Sequence, residues 1–209
     1  MDENRGMHEI TNIDALQRLY GEPTEASVRK VAVAIHPVYR PFIDAARFVA
    51  LATSGPHGLD VSPRGDPAGF VHVEDEKTLL LPDRRGNNRI DSLRNVLHDP
   101  RVALLFLIPG VGETLRVNGR ARILADPALL ERFAMDGKPP RSVLRIDVDT
   151  VFFQCSRAVV RASLWNASQH VPRSSLPSAG AILAALSGGA MDGAQYDRDL
   201  PERLRTTLY

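Results

Sequence analysis

The period of the apolar positions changes along this chain, and each change marks an element. Ile13, Leu16, Leu19 and Tyr20 recur at helical spacing behind the candidate caps Thr11 and Asn12, with Gly21 after them, so the pattern predicts a helix over 10–20. Thr24 to Lys30 predicts a second short helix. His36 to Asp44, broken by Pro37 and Pro41, predicts a linker holding one helical turn. From Phe48 the signal becomes β. Phe48 to Thr53 predicts a strand and Ser54 to Gly58 a hairpin turn. Leu59 to Ser62 predicts a returning strand that Pro63 and Gly65 disturb, as at a bulge or a sheet edge beside a ligand. Phe70 to Val73 and Thr78 to Leu81 predict short strands, and a helix over 88–97 ends at Asp99-Pro100. Val102 to Ile108 is continuously apolar, as in a central strand, and Thr114 to Leu124 predicts a long one. Asp126-Pro127 has the cap and first-turn residues of a helix start. Arg141 to Asp147 and Val151 to Arg161 predict two further extended segments, the second part helical. A Ser/Pro-rich linker over 168–178, a weak helix over 181–186 and a Gly-rich polar tail follow.

Short strands at close spacing, with helices inserted at intervals, predict a mainly β architecture, a β-barrel with added helices, over a doubly wound sheet. We expect an N-terminal helical extension over 1–44, a barrel domain over 45–165, and a C-terminal linker, short helix and tail over 166–209. With 209 residues the chain can bury a substantial core. Its net charge of +1 offers no broad footprint for nucleic acid or a membrane surface. The single cysteine, Cys155, excludes an internal disulfide and reads as a buried thiol among Val151, Phe152 and Phe153. The acidic N-terminus lacks the apolar run of a secretory signal, and a cytoplasmic location is the expectation. The six histidines show no metal-ligand spacing, so no metal is expected.

Candidate chemistry concentrates between Leu79 and Leu93. There an apolar run breaks into the loop Pro82-Asp83-Arg84-Arg85-Gly86-Asn87-Asn88-Arg89 and enters the helix. A helix start presents unpaired N–H groups and the positive end of the macrodipole. Arg84, Arg85 and Arg89 add guanidinium groups that match phosphate oxygens, so a phosphorylated ligand is expected. The competing reading is a capped helix after a polar turn with solvated arginines. Apart from Lys30, Lys77 and Lys138, all positive side chains are arginine, a bias that a GC-rich genome also produces.

In order, the hairpin Phe48 to Ser62, Ser62-Pro63-Arg64-Gly65-Asp66, Leu81-Pro82-Asp83, Asn87 to Leu93, Asp99 to Phe106 and Leu115 to Ala121 resemble the FMN-binding split-barrel superfamily, which includes pyridoxamine 5′-phosphate oxidase. The run Phe152 to Ala158, with Arg161, Leu164 and Trp165, resembles an uncharacterised subgroup related to that oxidase. The resemblance implies a six-stranded antiparallel split barrel, homodimeric, with FMN at the subunit interface. It assigns the phosphate to Asn87, Asn88, Arg89 and Ser92, with Ser62 and Arg64 beside them. It puts Leu81 and Pro82 along the flavin ring, and brings Arg116, Asn118, Arg161 and Trp165 from the partner subunit. The implied function is an FMN-dependent oxidoreductase; the alternative is a non-catalytic module binding FMN, haem or a deazaflavin for storage or sensing. The oxidase's Arg-x-His element has no counterpart after Trp165, so pyridoxamine phosphate is not the expected substrate. Three residues have structural alternatives: an ion pair of Arg64 with Asp66 or Asp60, one of Arg116 with Glu113, and packing for Trp165.

Overall fold

The structure, a computed structural model, describes residues 9–209. The chain divides into a small unit ending at Val31 and a large one from Ala32 to Tyr209. In the first, α1 (Ile13–Tyr20) begins where the Asn12 side chain accepts from the Ala15 N–H at 2.9 Å, and Gly21 ends it at a φ of 68°. Helix α2 (Glu25–Arg29) follows.

The large unit opens with an isolated bridge between Ala32 and Val151, then α3 (Arg40–Ala45), whose Ile43 is fully buried. Thus residues 32–44 pack with the sheet rather than standing apart from it. Strands β1 (Phe48–Gly55) and β2 (Gly58–Gly65) form a hairpin across Pro56-His57. Next come β3 (His72–Asp75), β4 (Thr78–Asp83), α4 (Asp91–His98), β5 (Arg101–Leu107), β6 (Thr114–Leu124), α5 (Pro127–Glu131) and β7 (Ser142–Gln154). Helices α6 (Arg157–Arg161), α7 (Ala179–Leu186) and α8 (Gly193–Thr207) complete the chain.

All seven strands belong to one antiparallel sheet in the order β2-β1-β5-β6-β7-β4-β3. This is one strand more than the six the resemblance implies; the four-residue β3 pairs along β4 and forms one edge. Alternate residues of the central strands, including Val49, Leu51, Leu104, Phe106, Leu115 and Val117, are fully or almost fully buried in a single core. Removing such side chains from water supplies roughly 1.5–3 kcal/mol each.

Several local expectations change. The strand β2 runs through Pro63, which pairs opposite Ala50, because β2 is an edge and its outer N–H groups need no ladder partner. The segments expected separately at 141–147 and 151–161 form one strand, β7, as far as Gln154. Their break is absorbed as a register shift against Asn118/Gly119 of β6. A Cβ on Gly119 would meet the Asp147 carbonyl oxygen at 2.4 Å, so the close approach there requires glycine. Cys155, just beyond the strand end, is exposed rather than buried. The tail is helical: α8 runs fifteen residues through Pro201, with Asp192 accepting from the Gln195 N–H at 2.9 Å as its cap. Among the described residues no helix is long and apolar enough to cross a membrane.

Candidate functional site

Helix α4 begins at Asp91, three residues later than its apolar spacing predicts, because Asn88 and Ile90 adopt left-handed backbone conformations at φ 61° and 54°. For the β-branched Ile90 this costs on the order of 1–3 kcal/mol. The N-cap residue of α4, Ile90, makes no side-chain cap hydrogen bond, so the first N–H groups of the helix are left without that partner. The helix itself is seated on β1. The Asn95 amide donates to Thr53 Oγ1 at 3.1 Å, and a Cβ on Gly55 would collide with Asn95 Oδ1 at 2.0 Å.

Between β2, the end of β4, the loop 84–90 and the start of β7 lies a cleft of about 550 Å³. That volume is within the roughly 300–1,000 Å³ of small-ligand sites. Ser62, Arg64, Pro82, Asn87, Asn88, Arg89 and Ser92 all line it. Leu81 does not; its side chain is 1% exposed and belongs to the core.

A hydrogen-bond relay ties the strand to the helix. Arg64 Nε donates to Ser62 Oγ at 3.3 Å, the Ser62 and Ser92 hydroxyls are 2.9 Å apart, and Ser92 donates to Asp60 Oδ2 at 3.0 Å. With the Ser92 proton directed to Asp60, Ser62 is the donor to Ser92. Ser92, 4% exposed, therefore holds the head of α4 against β2.

The carboxylates of this region serve the arginines. Arg64 pairs with Asp83, neither of the two partners expected from sequence. Arg84 Nε donates to Asp66 at 2.6 Å and its Nη1 to the Phe133 carbonyl. Arg89 pairs with Asp91 at 2.7 Å, and that hydrogen bond raises the Arg89 pKa further. The Tyr209 hydroxyl donates to the other oxygen of Asp66 at 2.7 Å, which raises the phenol pKa by holding its proton against a buried carboxylate.

Four nominated residues lie away from this cleft. Register places Arg116 opposite Leu105 and Asn118 opposite Ala103, and continues through Ala50 and Ala52 to Pro63 and Val61. They share the sheet face turned away from the core. The Arg116 guanidinium lies 4.9 Å from the Phe152 ring centre, not on Glu113, and Asn118 donates to Thr150 Oγ1 at 3.2 Å. Arg161 is an exposed residue at the end of α6. Trp165 Nε1 donates to the Val111 carbonyl at 2.7 Å, which anchors the indole within its own chain.

Sequence reasoning missed Arg141 and Ser142, which line the cleft from the start of β7. Only the long-range pairing of Ser142 with Asp83 brings them there. Ser142 Oγ is the one buried side-chain polar atom among the described residues without a hydrogen-bond partner. A buried hydroxyl left unpaired costs about 1–3 kcal/mol, so its position on a cleft wall suits a polar ligand atom.

The sequence pattern of the pyridoxamine 5′-phosphate oxidase family matches residues 35–155. No curated protein matches the sequence. Among solved structures, HupZ from Group A Streptococcus is similar over 58% of this chain and 95% of its own, at 20% identity and a TM-score of 0.47. A general stress protein 26-related protein of the pyridoxinephosphate oxidase family, from Clostridium acetobutylicum, matches over 56% and 84% at 16% identity and a TM-score of 0.44. An F420 reductase matches over 55% and 94% at 21% identity and a TM-score of 0.40.

Proposed function

The chain belongs to the pyridoxamine 5′-phosphate oxidase family, and from that premise we propose that it is a homodimeric FMN-binding oxidoreductase. The observation that carries this reading is the convergence of Ser62 and Arg64 with Asn87, Asn88 and Arg89 around one cleft of about 550 Å³. FMN, when bound, supplies the redox chemistry, and the protein supplies grip, orientation and hydrogen bonds. In this reading the uncapped head of α4 receives the cofactor phosphate, where N–H groups and the macrodipole favour an anion. Arg64 and Arg89 add charge-assisted donors while remaining oriented by Asp83 and Asp91. The orphan Ser142 hydroxyl supplies a further hydrogen bond.

The outer sheet face supports the dimer. Phe48, Val61 and Leu105 are exposed there beside Arg116 and Asn118, and these two do not line the cleft of their own chain. A second copy covering the face brings them to a site. The reading does not extend to pyridoxamine phosphate as substrate: residues 166–209 hold no Arg-x-His element.

Absorption spectroscopy of the purified protein, with mass spectrometry of the released cofactor, tests the reading. Flavin bands and the mass of FMN are expected. A protein that stays colourless after incubation with FMN overturns it. Reduction of the loaded protein by NAD(P)H, then stopped-flow reoxidation by candidate acceptors, distinguishes turnover from storage.

A further inference from the structure

Helices α7 and α8 form an arm that is built before it reaches the sheet. The Ser178 hydroxyl bonds Asp197, whose other oxygen accepts from the Gly180 N–H at 2.8 Å, and neither Gly180 nor Gly193 has room for a Cβ where the two helices meet. Residues 166–177, which lead into the arm, are all exposed. Among the described residues, both hydrogen bonds that join residues 171–209 to earlier parts of the chain are made by Tyr209. Its hydroxyl donates to Asp66 Oδ1 at 2.7 Å, and its main-chain oxygen accepts from Lys138 Nζ at 3.2 Å.

The hydroxyl contact falls on the partner of Arg84, and Arg84 lines the cleft. The Asp66 carboxylate is 2% exposed and divides its oxygens, Oδ1 to Tyr209 and Oδ2 to Arg84 Nε at 2.6 Å. It cannot turn without breaking one of these bonds in a buried place, where an unmet charge is costly. The Tyr209 ring centre also lies 5.7 Å from the Arg84 guanidinium carbon, so one residue touches both members of the ion pair. Arg84 Nη1 is committed to the Phe133 carbonyl. A guanidinium is a rigid plane, so fixing Nε and Nη1 fixes the direction of Nη2, which bonds no group among the described residues. One aimed donor is thus left for a ligand acceptor. The other charges near the phenol, Asp136 and Lys138, are of opposite sign, so Tyr209 contributes orientation rather than charge.

We propose that Tyr209 is a positioning residue of the cleft: carried there by the α7–α8 arm, it fixes Asp66 and thereby holds Arg84 with Nη2 towards the bound ligand. Docking of the arm and binding at the cleft then favour each other, by the same factor in both directions. The inference rests on the reading of the cleft as the FMN site.

Fluorescence titration of FMN into a double-mutant cycle tests it. Tyr209→Phe, which deletes the hydroxyl and keeps the ring, should weaken FMN binding about fivefold in the otherwise wild-type protein. Arg84→Lys keeps a cation on Asp66 but loses the planar fork, and in that background Tyr209→Phe should change FMN affinity less than about twofold. Equal weakening in both backgrounds overturns the proposal, because Tyr209 would then act without Arg84. Hydrogen exchange of the wild type needs no variant and reads the reverse coupling. FMN should slow exchange over residues 200–209 about fivefold, a response that a purely structural contact does not give. Exchange there that ignores FMN also overturns the proposal. If the protein takes up no FMN, the flavoprotein reading fails by itself. The latch is then judged in the unloaded protein, where Tyr209→Phe should speed exchange over residues 200–209 about fivefold and an unchanged rate removes it.

Discussion

The cleft and the outer face of the sheet carry candidate residues in opposite conditions. Around the cleft, three of the arginines are locked, Arg64 on Asp83, Arg84 on Asp66 and Arg89 on Asp91, with the Ser62–Ser92–Asp60 relay fixing strand to helix. On the outer face, Val61 is 65% exposed and Leu105 37%, and the Arg116 guanidinium rests over an aromatic ring instead of a carboxylate. One region is organised by a single chain. The other has apolar area and cations with no such fixed frame, the character of a surface completed by a second copy. The difference separates what one protomer pre-organises from what, in the dimer proposed above, a second copy would add.

The sharpest way to break this comparison is to remove the locked cations. Arg64→Ala combined with Arg89→Ala should weaken FMN binding about 100-fold or more, since in the proposed site both guanidinium groups donate charge-assisted hydrogen bonds to the phosphate. Flavin fluorescence titration measures it, with circular dichroism to confirm folding. Retained FMN affinity would move the phosphate away from this loop. A smaller effect is expected on the outer face. Leu105→Glu, a charge placed centrally on β5, should raise the dimer dissociation constant at least about tenfold in light scattering, with the sheet intact. An unchanged mass would show that the face lies outside the dimer contact.

The smallest effect belongs to Tyr209, which shares Asp66 with Arg84 of the cleft wall. Tyr209→Phe should cost about 1 kcal/mol by deleting the hydrogen bond to Asp66. The folded protein raises this phenol's pKa, so the contribution is fully present below the ordinary value of about 10 and is lost as pH rises through the folded value. Tyrosinate absorbance of wild type minus Tyr209→Phe should therefore titrate above the ordinary value. A difference curve centred at or below it would remove Tyr209 from Asp66.

Much of the element order was legible along the chain because local rules dominate it. Asn12 and Asp126 cap α1 and α5 as their sequence positions suggest, and Pro56-His57 closes the hairpin between β1 and β2. The later head of α4 was not legible, because left-handed Ile90 violates its own preference and is held there by the surrounding fold, beside an Asn88 that tolerates the same conformation. Nor was the length of α8, whose Gly193 and Pro201 argue locally against a helix. Packing overrides them: Asp197 accepts from the Gly180 N–H at 2.8 Å and bonds the Ser178 hydroxyl, pinning α8 to α7.

By itself, the sequence determined a mainly β chain with a basic, glycine- and asparagine-containing loop leading into a helix. Periodicity, turns and caps act over a few residues, and such features can be read without the fold. Tertiary structure alone decided which charges pair with which. Arg64 finds Asp83 across nineteen residues, and Ser142 reaches the cleft only because β7 pairs with β4. Ion pairing and orphaned hydroxyls depend on distances between segments remote in sequence, and those distances exist only once the sheet has set its register.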